Sequence, residues 1–321
     1  MSDELRVIIG SSGSTAAQNV AWALRRAAAP SLLIGVDAAV PNGSAGLFDL
    51  DVPVPWADEP DYIDAIKEIA RREGASAFLP VMEPELLAAS AHVDAFAAVG
   101  LDAVVSPEEA ISVCRSKRAL TARFERLGVP CPRVLRPDQV GDRAFARPDC
   151  GSGSRGARVL AVEDLGTALA KEPDLVLSEV VEGPEFSIDG YATDGRLIHA
   201  IARRRDEVRG GLAVRSEVVA LDETVRALVE ALCDDLRLDG FFNAQYLEDP
   251  EGVTRFFDLN PRPAGAMALS FAAGLDAPRY LNARLSGAQL EPGGTATIGL
   301  RLFRRWENVL IEPAEGAAVD R

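Results

Sequence analysis

The sequence predicts an α/β protein in which a parallel αβ domain, residues 1–106, is followed by a region of hairpins and helices. Three observations carry this. Up to about residue 105, short apolar runs alternate with helical patterns, the signature of βαβ units and a parallel sheet. A glycine-rich loop at 151–156 then lies between two strands with no helix after it. The chain's last well-patterned hairpin ends in "FFDLNPRPAG", residues 256–265, where two aromatics run into an acid, an amide and a cation.

In the first part, "RVIIG", "SLLIGVD", "SAFLPV" and "LDAVVS" read as buried strands, being continuous apolar runs bounded by turn residues. "TAAQNVAWALRRAAA", "PDYIDAIKEIARREG" and "EPELLAASAHVDAFAA" have helical periodicity and each opens on a polar residue or proline. "GSSGS" at 10–14 sits where a dinucleotide-binding turn would sit, and Asp37 closes the second strand. Gly10 and Gly13 have the wrong spacing for G-x-G-x-x-G, so a tight βα turn is the better reading.

The second part opens with a helical stretch, "SPEEAISVCRSKRALTARFERLG", stopped at Gly128. "RAFARPDCGSGSRGARVLAV" reads as strand, glycine loop and strand. A Walker loop is excluded, because that motif needs Gly-Lys-Ser/Thr opening a helix. A glycine hairpin can instead fold backbone N–H groups over phosphates. "DLVLSEVVEGPEFSIDGYATDGRLIHAIARRRDEV" reads as a strand, a Gly183-Pro184 break and a hairpin turning at "TDG"; "TVRALVEALCDDLRLDG" is an amphipathic helix. The closing hairpin, "GFFNAQYLEDPEGVTRFFDLNP", turns at 249–252. Strand alternation places Asp258 and Asn260 on one face. A two-residue loop at Pro250 and Glu251 would set Gln245 opposite Phe256, and the register depends on that turn. The tail "EPAEGAAVDR" is expected to fray.

Composition narrows the function. The chain has 321 residues, 48% of them hydrophobic and 26% charged, ordinary globular material for about two domains. A formal charge of −15 argues against nucleic acid as a partner. No apolar run approaches 18 residues, and "MSDELRVIIG" is acidic before it is apolar, so neither a membrane span nor a secretory leader is expected. Cys114, Cys131, Cys150 and Cys233 form no C-x-x-C pair and read as reduced thiols in a cytoplasmic protein. His92 and His199 are too few and too isolated for a metal site or a Ser-His-Asp triad, and read as structural.

Taken in order, a parallel αβ domain, a lysine-bearing helix, a glycine hairpin, an acidic hinge and a hairpin with Gln, Asp, Asn and Arg resemble the ATP-grasp superfamily, in its carbamoyl-phosphate-synthase-like branch. The resemblance spans nearly the whole chain, to about residue 303. It implies a pre-ATP-grasp domain at 1–106, a linker helix and lid subdomain at 107–182, and a catalytic subdomain at 183–321, the last two forming a two-lobed α+β unit. Lys117 in "CRSKRALTARF" is similar to the basic residue that reaches ATP phosphate, and Arg147 in "FARPDCGSGSRG" to the cation of the preceding strand. Gly151, Ser152, Gly153, Ser154 and Gly156 would line the phosphate lid. "LSEVVEGPEF" resembles the adenine hinge, with Glu179 and the backbone of Val180 and Val181 facing the base and Glu185 accepting the ribose hydroxyls. Gln245, Asp258 and Asn260 resemble the metal ligands for Mg²⁺ or Mn²⁺, and Arg262 the cation beside the transferring phosphate. Asp258 departs from the usual Glu and is one methylene shorter.

The implied activity is ATP-dependent joining of a carboxylate to an amine through an acyl phosphate, with ADP and phosphate released. Every catalytic role is then electrostatic. In "RRRDEVRGGLAVRSE", Arg203, Arg205 and Arg215 are candidates to clamp substrate carboxylates. The same stretch also reads as a solvated charged hairpin. The expected partners are small, amino-acid-like carboxylates and amines, with homodimerisation left open. A carbamoyl-phosphate-type enzyme and a non-catalytic ATP-binding module are the alternatives.

Overall fold

The computed structural model describes residues 5–26, 31–151, 155–305 and 307–311. The tail 312–321 and the lid residues Ser152, Gly153 and Ser154 lie outside the described residues.

The first layer contains β1 (Leu5–Ile9), α1 (Thr15–Arg25), β2 (Ser31–Asp37), β3 (Leu50–Pro53), α2 (Tyr62–Glu73), β4 (Ala77–Leu79), α3 (Glu83–Ser90), α4 (Val93–Ala97) and β5 (Asp102–Ala103). Its strands form one sheet in the order β3-β2-β1-β4-β5 with parallel pairings throughout. The "GSSGS" turn is closed by Asp37, whose carboxylate accepts the Gly13 N–H, while the Ser14 hydroxyl caps α1 at Ala17. The helical run expected over 83–98 is two helices, because the chain turns at Ala91 and His92 between α3 and α4.

Two helices, α5 (Glu108–Arg115) and α6 (Lys117–Arg126), then cross to the second part. The single helix expected here is broken at Ser116, whose extended backbone (ψ 121°) ends α5 and whose hydroxyl caps α6 at Ala119. A small sheet follows: β6 (Val134–Leu135), β7 (Arg143–Pro148), β8 (Arg158–Ala161), α7 (Leu165–Lys171) and β9 (Leu175–Ser178), with strand order β6-β9-β7-β8 and all pairs antiparallel. The last region holds β10 (Glu185–Thr193), β11 (Arg196–Arg209), β12 (Leu212–Val219), α8 (Glu223–Leu236), β13 (Gly240–Glu248), β14 (Thr254–Asn260), α9 (Ala268–Ala273), α10 (Ala277–Ser286) and β15 (Arg301–Phe303). Its sheet runs β14-β13-β10-β11-β12-β15. The mixed α/β class and the parallel sheet at the N-terminal end agree with the sequence.

The β13–β14 register differs from the two-residue loop. Glu248 pairs with Thr254, so the loop takes five residues, 249–253, and a bulge follows between the pairs Tyr246–Phe256 and Gln245–Asp258. The Asp249 carboxylate builds the longer turn by accepting from the N–H groups of Glu251 and Val253. The consequence is that Gln245 lies directly opposite Asp258, and Asn243 opposite Asn260.

Candidate active site

The C-terminal end of β14, away from the hairpin turn, is where the cations meet. Lys117, the first residue of α6, is 8% exposed, and its ammonium donates to Asp258 Oδ1 at 2.6 Å. Its position is set by Asp149, which follows β7. The Asp149 carboxylate accepts from the Ser116 hydroxyl and the Arg118 N–H, and its carbonyl accepts the Lys117 N–H. Sequence reasoning missed Asp149, although its place in "RPDCGS" beside the glycine loop was the available signal.

From β7, Arg147 sends Nη1 to the Phe257 carbonyl at 3.0 Å, while its buried Nε has no partner. Asp258 Oδ2 accepts from Asn260 Nδ2 at 2.8 Å. Burial pushes the Asp258 carboxyl upward, but the charge and hydrogen bond of Lys117, the Asn260 amide and the charge of Arg147 outweigh it, and the group is held below the usual carboxylate range. Arg262 follows, its N–H bonded to the Asn260 carbonyl and Nη1 to the Pro263 carbonyl. Burial pulls Arg262 below the ordinary arginine value, opposed by Asp258 and Glu83. Lys117, Gly151, Asn260 and Arg262 line one cavity together with Glu83 and Arg115.

A chain of polar contacts runs from this point across the face of the six-stranded sheet. Gln245 Oε1 accepts from Arg205 Nη1, and Gln245 Nε2 donates to Asn243. Arg205 also pairs with Glu185 at 2.8 Å and donates to the Gly211 carbonyl. Asn243 and the Ser270 hydroxyl both donate to Asp189, which pairs with Arg203 at 2.7 Å, a pair with side chains only 3% and 0% exposed. The two arginines expected to clamp substrate are thus held by internal acids. Arg215 is exposed, and since it neighbours Ser216 along β12 it falls on the opposite face from Arg203 and Arg205. The structure does not bring it to this cluster.

At the hinge, the Glu179 carboxylate accepts the Arg133 N–H and the Glu179 N–H donates to the Arg133 carbonyl. Its side chain is therefore tied to the residue that precedes β6, and Val180 and Val181 continue half-buried between β9 and β10. Gly183 is required by contact: a Cβ there would meet the Glu248 carbonyl oxygen at 1.9 Å. Gly156 has φ +76°, a conformation that favours glycine at the end of the loop. His92 and His199 are structural, bonded to the Ala88 carbonyl and the Tyr280 hydroxyl respectively. All four cysteines are free.

This architecture is the ATP-grasp fold. Residues 171–301 match the family model described as "ATP-grasp in the biosynthetic pathway with Ter operon". Among solved structures, the chain resembles the biotin carboxylase domain dimer of Hydrogenobacter thermophilus 2-oxoglutarate carboxylase, in complex with MgADP, ADP and bicarbonate (14% identity, 93% of this chain and 73% of that one, TM-score 0.71). It also resembles N5-carboxyaminoimidazole synthetase from Staphylococcus aureus complexed with ADP (11% identity, 91% and 80% covered, TM-score 0.71). A third similar structure is the L-amino acid ligase of Bacillus licheniformis (15% identity, 91% and 78% covered, TM-score 0.68). The search of curated proteins found no match. Among the described residues, no helix is long and apolar enough to cross a membrane.

Proposed function

We propose that this chain is an ATP-dependent carboxylate–amine ligase of the carbamoyl-phosphate-synthase-like branch, working through an acyl phosphate. The observation that supports it most is the meeting of Lys117, Arg147, Arg262, Asp258, Asn260 and Gln245 at one end of the β13–β14 hairpin, next to the glycine loop. Phosphoryl transfer is catalysed mainly by positioning and by neutralising charge on the phosphoryl oxygens, and that is the equipment present.

The donor set fits a hard divalent cation. Asp258, Asn260 and Gln245 offer one carboxylate and two amide oxygens, the ligand type suited to Mg²⁺ or Mn²⁺. In this structure the Lys117 ammonium sits on Asp258 and the Arg205 guanidinium on Gln245, so cations already face the oxygens a metal would use. When bound, the metal would screen the phosphate oxygens and polarise the γ-phosphoryl group. Lys117 and Arg147 hold the ATP phosphates, the backbone at 179–181 reads adenine, and Glu185 takes the ribose hydroxyls. The substrate carboxylate oxygen attacks the γ-phosphorus and ADP leaves. The amine nitrogen then attacks the acyl carbon, the amide bond forms and phosphate departs. Arg262 stabilises the shared charge in the first step.

The free thiols support a reducing compartment such as the cytoplasm. The deciding experiment is ADP release from MgATP across amino acids, other carboxylates and amines, with bicarbonate and ammonia in the same panel. Amide product identified by mass spectrometry supports the ligase, and bicarbonate-dependent turnover favours the carbamoyl-phosphate-type reading. Nucleotide binding with no turnover on any pair leaves only an ATP-binding module.

A further inference from the structure

The cavity at Arg262 has a wall that the nucleotide and metal assignments do not use, and that wall comes from the first layer. In the sheet order β3-β2-β1-β4-β5, the chain moves outward from β1 through β2 to β3 and, on the other side, from β4 to β5. In an open parallel sheet, the crevice at the carboxyl ends of two such neighbouring strands is where ligands bind. Glu85, 5% exposed, ties the two strand ends together. Its carboxylate accepts from the Val81 and Met82 N–H groups after β4 and from the Ser11 hydroxyl after β1. The turn comes this close because residue 10 is glycine: a Cβ there would meet the Glu85 carboxylate at 2.4 Å.

The fixed loop presents Glu83, the first residue of α3. Arg262 arrives from the last region. The segment after it is seated on the start of α1, where Asn19 Nδ2 donates to the Ala264 carbonyl and a Cβ on Gly265 would meet Thr15 Oγ1 at 2.7 Å. Glu83 and Arg262 line the same cavity, with Met82, Leu86 and Ile111 among its apolar walls. Two carboxylates act on the Arg262 charge, Asp258 and Glu83. Asp258 is held by Lys117 and Asn260, whereas Glu83 pairs with Arg115 at the end of α5, at 2.7 Å, and that arginine is 45% exposed. An ion pair this open is worth about 1 kcal/mol or less and is readily exchanged.

We infer that this cavity takes the acyl substrate as a zwitterionic α-amino acid of small side chain, its carboxylate on Arg262 and its ammonium on Glu83, which sets the specificity. The inference rests on the ligase reading, in which the substrate carboxylate lies beside Arg262. A cation and an anion facing one cavity complement a ligand that carries both signs. Glu83 also works against the wrong ligand, because its charge repels a plain carboxylate that brings no ammonium to cancel it. Arg115 stands where the ammonium would go, as Lys117 stands on Asp258. With Arg115 in place the enclosed space is about 30 Å³, one water molecule's share of volume. Entry of the substrate therefore requires Arg115 to swing into solvent, and the room this leaves suits glycine or alanine rather than a bulky residue.

The test is calorimetric titration of the protein, with and without saturating Mg·AMPPNP. The ligands are glycine, L-alanine and D-alanine, each set against its counterpart without the amino group, acetate or propionate, and against N-acetyl-L-alanine. At least one amino acid should bind about tenfold or more tighter than its counterpart, the size of a charge-assisted contact. Glu83→Gln should erase that preference by weakening the amino acid, with propionate bound equally well or better and AMPPNP affinity unchanged. Arg115→Ala removes the competing cation and should tighten amino-acid binding a few-fold. The inference is overturned if no amino acid is preferred, if the preference survives Glu83→Gln, or if Arg115→Ala abolishes it as well. A Glu83-dependent preference in a protein that binds no AMPPNP keeps the subsite and loses the ligase reading. AMPPNP binding without any preference keeps the ligase reading and loses the subsite.

Discussion

Asp258 accepts from Lys117 and Asn260 at once, and it is the single carboxylate in the proposed metal set. Asp258→Asn retains an acceptor for Lys117, so the protein should stay folded, at a cost of about 1–3 kcal/mol for the weakened charge-assisted bond. Mg²⁺-dependent ADP release should disappear, and full activity in a variant with native circular dichroism would place the metal elsewhere. Asp258→Glu should be tolerated. Arg262 is argued to act on charge that is greatest in the transition state. Arg262→Ala should therefore lower kcat by on the order of 10² to 10³ while ATP affinity changes only a few-fold. Arg262→Lys should rescue poorly, because a lysine keeps the charge and loses the planar fork. Steady-state kinetics with MgATP and a matched substrate pair separates these outcomes from a surface arginine, which predicts wild-type turnover.

Elements are joined by ion pairs that the sequence did not signal. Arg123 and Arg126 on α6 both pair with Asp235 on α8, the first at 2.6 Å. Burial pushes Asp235 up, but hydrogen bonds and charge from the two arginines prevail and depress its carboxyl below the usual range. A carboxyl depressed on folding adds stability above its unfolded value, near pH 4, and that stability is lost as pH falls through the lower folded value. Asp235→Asn should thus cost about 1 kcal/mol at pH 7, since Arg126 is largely exposed. The difference from wild type should shrink as urea titrations are carried to pH values through and below that lowered folded value. A gap that stays constant with pH would show that Asp235 acts by packing. The elements themselves were legible where period and turn chemistry agreed: the parallel βα layer, the "TDG" turn and the glycine hairpin. The breaks at Ser116 and His92 were not, because apolar periodicity runs through both while the chain turns. The β13–β14 register was missed because Asp249 builds a five-residue loop from its own side chain. Of the candidate site, Lys117, Asp258, Asn260 and Arg262 come together as their order suggested. Arg203 and Arg205 proved to be paired, because Asp189 and Glu185 lie across the strand ladder, invisible without the register.

At the scale of the molecule, the boundary near residue 106 does not divide the core. One apolar cluster runs from Val7, Val20 and Leu24 of the first layer to Tyr191, Phe241, Phe271 and Tyr280 of the last region. α1 packs on α9 and α10, and Arg284 on α10 bridges Asp102 on β5 of the first sheet and Asp239 before β13, at 2.6 and 2.7 Å. Burial opposes the Arg284 charge, but the two carboxylates hold its guanidinium well above the ordinary arginine value. Both partners and the arginine are mostly shielded, so this bridge is worth more than a surface pair. Asp239 Oδ1 already lacks a partner and would lose its remaining ion pair in Arg284→Ala. That variant should lose about 2–3 kcal/mol, and Arg284→Lys should recover only part, since an ammonium cannot fork between two carboxylates. The measurement is urea unfolding followed by fluorescence in a Trp306→Phe background, where Trp22 and Trp56, both in the first layer, are the remaining reporters. The midpoint should fall with the slope unchanged if the shared core keeps the layers unfolding together. A shallower slope would mean that the first layer separates on its own and that Arg284, not the apolar cluster, was what joined the layers. An unshifted midpoint with an unchanged slope for Arg284→Ala would remove the bridge as a link between the layers.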